Sequence, residues 1–456
     1  MSKLEGYEYY RKSLNSAKYV VAPMVDASEL AFRMQCRKHG AQLCYTPMFN
    51  AGLFVKSEHY RQENFTTCPE DRPLIVQFCA NDPKIFLEAC KLVQDRCDGV
   101  DLNLGCPQQI ARRGHYGAFL QDEWELLEKM VSLCHKELKV PISCKIRIFK
   151  SLEKTIKYAK TLEKAGCQLL TVHGRTREQK GVLTDIANWK FIAEVRKNVK
   201  IPVLSNGNIQ YFCDIERCIN FTGVDGVMSA EGCLYNPALF EGKTYAAYFL
   251  AEEYLNFTKK YPCPLGYIRG HVFKILNPCL QCDIDEMRRA RDLIAGAQAV
   301  DTFYEAVAIV KSTWLSYYRD SNLSNEALFP LKFVCQPYVR PPIRNNEEQK
   351  EESVKSGKPD RRDILKRKLE EKMKISEEDM NRLSLKKLKK LLKKPKRRKI
   401  PEYSNNLDKC RNDLCPNPKC LLCEFKMCKS CCRVTAKEKS INCTKHRSLC
   451  VEESSK

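Results

Sequence analysis

In the stretch Asp101-Leu102-Asn103-Leu104-Gly105-Cys106-Pro107-Gln108, a thiol stands just past a run that alternates apolar and polar residues. Val100, Leu102 and Leu104 alternate with Asp101 and Asn103, which predicts a strand with one apolar and one polar face. Gly105 and Pro107 end it and leave Cys106 on the following loop. In βα-repeat proteins ligands bind at that carboxyl end. A cysteine there can act as nucleophile, metal ligand or proton donor. The chain has 26 cysteines, and an arbitrary one is a small core residue. Cys106 is set apart by what other strands offer beside it. In Ser143–Ile148, Cys144, Ile146 and Ile148 share one face while Lys145 and Arg147 share the other. A cation turned inward is costly without a partner. The same period of two turns Gln77, Asp101, Asn103 and His173 inward. Amide, carboxylate, cationic and imidazole groups converging on one cavity describe a ligand site.

The elements that must position these groups alternate between residues 19 and 229. Strands are expected at 19–25, 41–47, 73–79, 99–104, 141–148, 168–173, 201–205 and 225–229. Helical patterns fall between most of them, as at 29–39, 83–97, 123–138, 152–165, 189–197 and 212–220. Eight strands in this alternation match a (β/α)8 barrel better than a doubly wound sheet. The lack of a glycine-rich fingerprint after the first strand argues the same way. In many barrels the loops after strands seven and eight hold a phosphate on backbone N–H groups. Asn206-Gly207-Asn208 and Ala230-Glu231-Gly232 have the small, turn-forming chemistry for it. Residues 243–338 read as helices with aromatic and basic residues interspersed, among them Tyr267, Arg269 and Trp314.

The net charge of +22 is unevenly spread. Residues 341–456 hold 33 Lys and Arg against 18 Asp and Glu, a surplus of 15 that leaves 7 for the rest. A near-balanced body with a basic tail suits a partner that is a polyanion. Ten of the fourteen residues from Lys386 to Lys399 are Lys or Arg, the density of a nuclear-import signal or a phosphate-binding arm. The last segment holds Cys410, Cys415, Cys420, Cys423, Cys428, Cys431, Cys432, Cys443, His446 and Cys450. Cys420-x2-Cys423, Cys428-x2-Cys431 and Cys443-x2-His446 have the bite of zinc-ligand pairs, and one site or two interleaved sites both fit. So short a module has little core, and metal binding would have to offset its chain entropy. The start of the chain is charged and lacks a secretory h-region, and no apolar run approaches the ~18 residues of a membrane span. The cysteines are therefore expected as thiols or metal ligands in cytoplasm or nucleus.

The expected architecture is α/β: a (β/α)8 TIM barrel (1–240), a helical domain (241–340), a charged linker and basic helix (341–400) and a Cys-rich zinc-binding module (401–456).

Six ordered motifs carry a family resemblance. Ala22-Pro23-Met24-Val25, Pro73-Leu74-Ile75-Val76-Gln77, Asp101–Gln108, Lys145-Ile146-Arg147, His173-Gly174-Arg175-Thr176 and Asn206-Gly207-Asn208 resemble the successive motifs of the tRNA-dihydrouridine synthases. The stretches 42–48 and 113–118, with the basic cysteine-rich tail, most resemble the eukaryotic class acting on D-loop uridines 16 and 17. The resemblance implies an FMN-dependent enzyme that reduces the C5–C6 bond of uridine in tRNA, the flavin being reduced by NADPH or NADH. It implies that Cys106, as a thiol, protonates C5 while the flavin delivers hydride to C6. Pro23, Met24 and Val25 would lie against the flavin, with Gln77 on its pyrimidine edge. Lys145 would stabilise charge on the reduced flavin, and His173 would assist in the same flavin region or at the ribityl phosphate. Asn206, Gly207, Asn208, Ala230 and Glu231 would line the FMN phosphate, and Asn103, Arg147 and Arg175 would orient the uracil and its neighbours. The helical domain and tail would bind tRNA. One departure stands out. Many relatives have Gly-Arg after the eighth strand where this chain has Ala230-Glu231, and a glutamate beside a phosphate is repulsive unless it points away. Two other functions fit the same barrel: a catalytically silent RNA-binding adaptor, and a flavin oxidoreductase acting on a small dihydropyrimidine.

Overall fold

A computed structural model of the chain describes residues 3–320, 331–340, 410–412, 420, 423–438 and 443. They fall into two compact units, 1–342 and 343–456, each described by itself. The predicted linker and basic helix (341–400), with Cys415, His446 and Cys450, lie outside the described residues.

All strand pairings of the first unit are parallel. The strands are β1 (Tyr19–Val21), β2 (Leu43–Tyr45), β3 (Phe49–Asn50), β4 (Leu74–Cys79), β5 (Gly99–Leu104), β6 (Ile142–Arg147), β7 (Leu169–His173), β8 (Val203–Asn206) and β9 (Gly226–Ser229). The order β2-β1-β9-β8-β7-β6-β5-β4, closed by β2 against β4, makes an eight-stranded barrel; β3 is a short extra strand beside β4. The expected strands are all present, several of them shorter. β1 stops at Val21, two residues before Pro23, which has no N–H to give a ladder.

Register explains the division of side chains. Asn103 pairs with Lys145, and Arg147 with His173, across adjacent strands. Their outward neighbours Leu102, Leu104, Cys144 and Ile146 are fully buried in the layer between strands and helices. Inside the barrel, Val20, Leu43, Tyr45, Ile75, Leu169, Leu204 and Met228 form a separate cluster. An unexpected helix, Gly6–Lys12, contributes Tyr9 and Tyr10 to that cluster. The interior is thus apolar on one side and polar toward the strands' carboxyl ends.

Local chemistry starts the helices. Asp82 accepts the N–H groups of Lys84 and Ile85, with Pro83 at the first helical position of Pro83–Lys91. Ser151 and Asn188 cap Leu152–Lys164 and Trp189–Asn198 in the same way. After the barrel, helices Ala247–Lys260, Leu265–Ile275, Asp285–Gly296 and Val300–Asp320 pack with helix Leu30–Lys38 around one apolar cluster. The chain then returns through 331–340, where Val334 bridges Ala246 in antiparallel fashion.

Candidate active site

The loop carrying Cys106 is held from several sides. Asn103 Oδ1, at the end of β5, accepts the N–H of Gly105 at 3.1 Å and of Cys106 at 2.9 Å. The Cys106 carbonyl accepts the N–H of Ala118 at 3.1 Å. The Gly105 carbonyl accepts Nε of Arg147 at 2.8 Å. Gly117 (φ +67°) closes over the loop, and a Cβ there would come within 2.8 Å of the Cys106 carbonyl oxygen. The half-buried Cys106 packs with Cys79 and Tyr116. Burial and the neighbouring Cys106 push the Cys79 thiol up to about 12.

Beneath the loop runs a buried polar chain. Asn103 Nδ2 donates to Gln77 Oε1 at 2.8 Å, Gln77 Nε2 to Asp101 Oδ2 at 2.8 Å, and Ser143 Oγ to Asp101 Oδ1 at 2.7 Å. Burial pushes the Asp101 carboxyl up to about 6 against the pull of those two donors. The structure thus brings Gln77 and Asn103 together, with their amides engaged inside the protein. Arg147 donates through Nη1 to the carbonyls of Thr176 and Gln179, tying the Cys106 loop to the segment after β7. Burial, then the charge of Arg175, brings Arg147 down to about 10.

The cationic side is equally organised. Lys145 Nζ donates to Asn206 Oδ1 at 2.8 Å, and Asn206 Nδ2 donates to the Met228 carbonyl at 2.8 Å. Burial, then the charge of Arg147, lowers the Lys145 amine to about 8. His173 is held well below its ordinary value by burial and by Lys145, Arg147 and Arg175, so the ring is neutral. Arg175 Nη1 lies 3.1 Å from His173 Nε2. A guanidinium can only donate, so Nε2 accepts and the proton sits on Nδ1. Arg175 Nη2 also donates to Asn208 Oδ1 at 2.6 Å.

A cavity of about 570 Å³ opens over these strand ends. It is lined by Arg147, His173, Arg175, Asn206–Asn208, Met228–Gly232 and residues 337–340. Pro23 and Met24 are half-buried and Val25 is 58% exposed on the loop after β1. Glu231 faces Arg340, whose Nη2 donates to both its carboxylate oxygens, at 2.8 and 2.6 Å. Sequence reasoning missed Arg340, which lies more than a hundred residues from Glu231 with no motif around it. It also missed Ser143, although the period of two that turned Lys145 inward turns Ser143 inward as well.

In the second unit the sulfurs of Cys410, Cys428 and Cys431 lie within 4.8 Å of one another, as do those of Cys423, Cys432 and Cys443. Cys420 packs against the second group.

The profile described as dihydrouridine synthase (Dus) matches residues 20–279. A tRNA-dihydrouridine(16/17) synthase NAD(P)(+)-like protein of Mus musculus is 50% identical over 454 residues, covering 98% of this chain and 91% of its own. The tRNA-dihydrouridine(16/17) synthase NAD(P)(+) of Schizosaccharomyces pombe is 48% identical over 299 residues, covering 62% of this chain and 75% of its own. A tRNA-dihydrouridine(20a/20b) synthase-like protein of Homo sapiens is 42% identical over 226 residues, 49% of this chain and 70% of its own. With a parallel barrel, a pinned thiol and a cationic cavity over the same strand ends, and a family match across more than half its length, the chain belongs to the dihydrouridine synthases.

Proposed function

We infer that this protein reduces uridine to 5,6-dihydrouridine in the D-loop of tRNA, at positions 16 and 17, with NAD(P)H as electron source and FMN as cofactor. The single observation that carries the reading is the shared mouth of the barrel. A thiol on a pinned loop stands at the end of β5, and Lys145, His173, Arg175 and Asn206 line the neighbouring strand ends.

The residues present fit a flavin mononucleotide. The cavity falls within the usual range for a cofactor site, roughly 300–1,000 Å³. Lys145 offers a buried ammonium suited to an anionic ring edge, and Asn206–Asn208, Ala230, Arg175 and the neutral His173 suit a phosphate and ribityl chain. Pro23, Met24 and Val25, on the loop after β1 and outside the cavity lining, are read as the apolar wall, and Gln77 would serve the pyrimidine edge only by giving up its bond to Asp101 or Asn103. When bound, FMN supplies hydride chemistry. The protein's own work is to hold a proton on Cys106 Sγ for C5 of the base and to keep Lys145 charged. Asn103 fixes the loop, while Arg147 and Arg175 orient the nucleotide. The helical domain and basic tail contribute affinity for tRNA, with localisation in cytoplasm, nucleus or both.

The cysteine-rich segment is read as a zinc-binding module, supported by its two groups of three adjacent sulfurs. Zinc–thiolate bonds of about 2.3 Å place tetrahedral sulfurs about 3.8 Å apart, so only a small contraction is needed.

The test is to purify the full chain, load it with FMN and incubate it with NADPH and tRNA lacking dihydrouridine. Dihydrouridine mapped at positions 16 and 17 is expected. A protein that stays colourless after FMN addition favours the silent adaptor. Reduction of free pyrimidines with tRNA left untouched favours the small-molecule oxidoreductase.

A further inference from the structure

The segment 331–340 returns from the last helix to the rim of the barrel cavity and is fastened there. Val334 bridges Ala246, and Cys335 N–H donates to the Tyr245 carbonyl at 3.3 Å. Tyr338 stacks on Tyr235 with ring centres 5.3 Å apart, and the Arg340 guanidinium lies 5.6 Å from the Tyr338 ring centre. These contacts deliver Arg340 to the lining of the cavity that Arg175, Ala230 and Gly232 also line, with Glu231 in its grip.

The charges there call for an anion. Arg175 is held below its ordinary value by burial and then by the charge of Arg340, with Glu231 opposing. Two guanidiniums therefore share one space, with Arg147 and Lys180 on the same lining, and the two carboxylates there, Glu231 and Asp185, offset only part of that charge. Arg340 spends Nη2 alone on both oxygens of Glu231, so that pair does not take up its Nε–H or Nη1–H. A guanidinium with a fork of donors matches a phosphate dianion. Glu231, which alone would repel a phosphate, instead orients the arginine.

We propose that Arg340 is a binding residue for the phosphate of FMN, supplied to the barrel from the far end of the helical domain and aimed by Glu231. The assignment rests on the flavin reading above and concerns how the same site tells FMN from riboflavin, which lacks only the phosphate.

The experiment titrates flavin-free full-length protein with FMN and with riboflavin, following flavin fluorescence, in the wild type, Arg340→Gln and Arg340→Lys. Arg340 is exposed enough for folding to survive, which urea unfolding without flavin checks. In Arg340→Gln the FMN dissociation constant should rise about tenfold or more with riboflavin unchanged, since a charge-assisted contact is lost for one ligand only. Arg340→Lys keeps the charge without the fork and should fall between. An unchanged preference for FMN in Arg340→Gln, or equal weakening of both flavins, overturns the assignment. A wild type that binds neither flavin overturns the flavin reading itself, a distinguishable result.

Discussion

A thiol that must give up a proton at one fixed place needs its backbone immobilised more than it needs an unusual acidity. Cys106 has that: its N–H is taken by Asn103, its carbonyl by Ala118, and Gly117 packs on it where no larger residue fits. The buried chain from Ser143 through Asp101 and Gln77 to Asn103 extends this support across β6, β5 and β4. Asn103 therefore acts on the loop, with its own amide held by Gln77. Cys106→Ala removes the proposed proton donor and leaves those backbone contacts intact. The variant should purify yellow, with melting behaviour close to the wild type, while dihydrouridine formation on tRNA falls roughly 10²–10⁴-fold, the usual contribution of a general acid. Normal turnover in that variant would show that the proton comes from elsewhere.

Between elements, the helical segment is joined to the barrel by a charged bridge. His39, at the end of helix Leu30–Lys38, places Nδ1 2.6 Å from Glu241 Oε2 and Nε2 2.7 Å from Glu253 Oε2. A neutral imidazole has one N–H and would turn a lone pair toward one carboxylate, so the bridge requires the cation. Burial pulls His39 down, but the hydrogen bonds to Glu253 and Glu241 outweigh it and raise its pKa. Glu241 is drawn down to about 2, chiefly by His39. A raised histidine contributes stability that is full below its ordinary 6.5 and lost as pH rises through the raised value. The depressed carboxylates contribute above their ordinary 4.5 and lose it as pH falls toward 2. Thermal unfolding of wild type and His39→Gln should thus differ most between about pH 5 and 6.5, by roughly 1.5–3 kcal/mol, and converge in alkaline buffer. A gap that widens above pH 8 would refute the bridge. Bonds of this kind are hard to read from a sequence. Apolar runs alternating with helical patterns marked the barrel strands, and the period of two placed Lys145, Arg147 and His173 inward, because both signals are local. Pairings such as His39 with Glu253, or the fully buried Arg33 with Asp71, depend on elements far apart in the chain. Nothing in the residues around Arg33 distinguishes it from a solvated arginine. Arg340 escaped for the same reason.

At the scale of the whole molecule, the chain joins a body that builds its own core to a module that has little apolar surface to bury. In the second unit the two sulfur groups alternate along the sequence: Cys410 in the first, Cys423 in the second, Cys428 and Cys431 in the first, Cys432 and Cys443 in the second. Cys431 and Cys432 are neighbours on helix Lys429–Glu438, and successive helical residues are turned about 100° apart, so one helix serves both groups. Cys428 and Cys431 of the CxxC spacing have their sulfurs in one group, but spacing alone left one site or two open, because the partition depends on which way that helix faces. Were each group to hold an ion, the interleaving would keep either half of the module from closing without the other, and binding of two ions would become its folding energy. The full-length protein should accordingly retain two zinc equivalents after dialysis, and Cys431→Ser and Cys432→Ser should each lower the count by at least one. Since the module sits in the basic last quarter of the chain, metal removal should also weaken tRNA binding most at low salt, where phosphate contacts count for most. A wild-type content of one zinc, or a count that neither serine variant changes, would break the two-site arrangement.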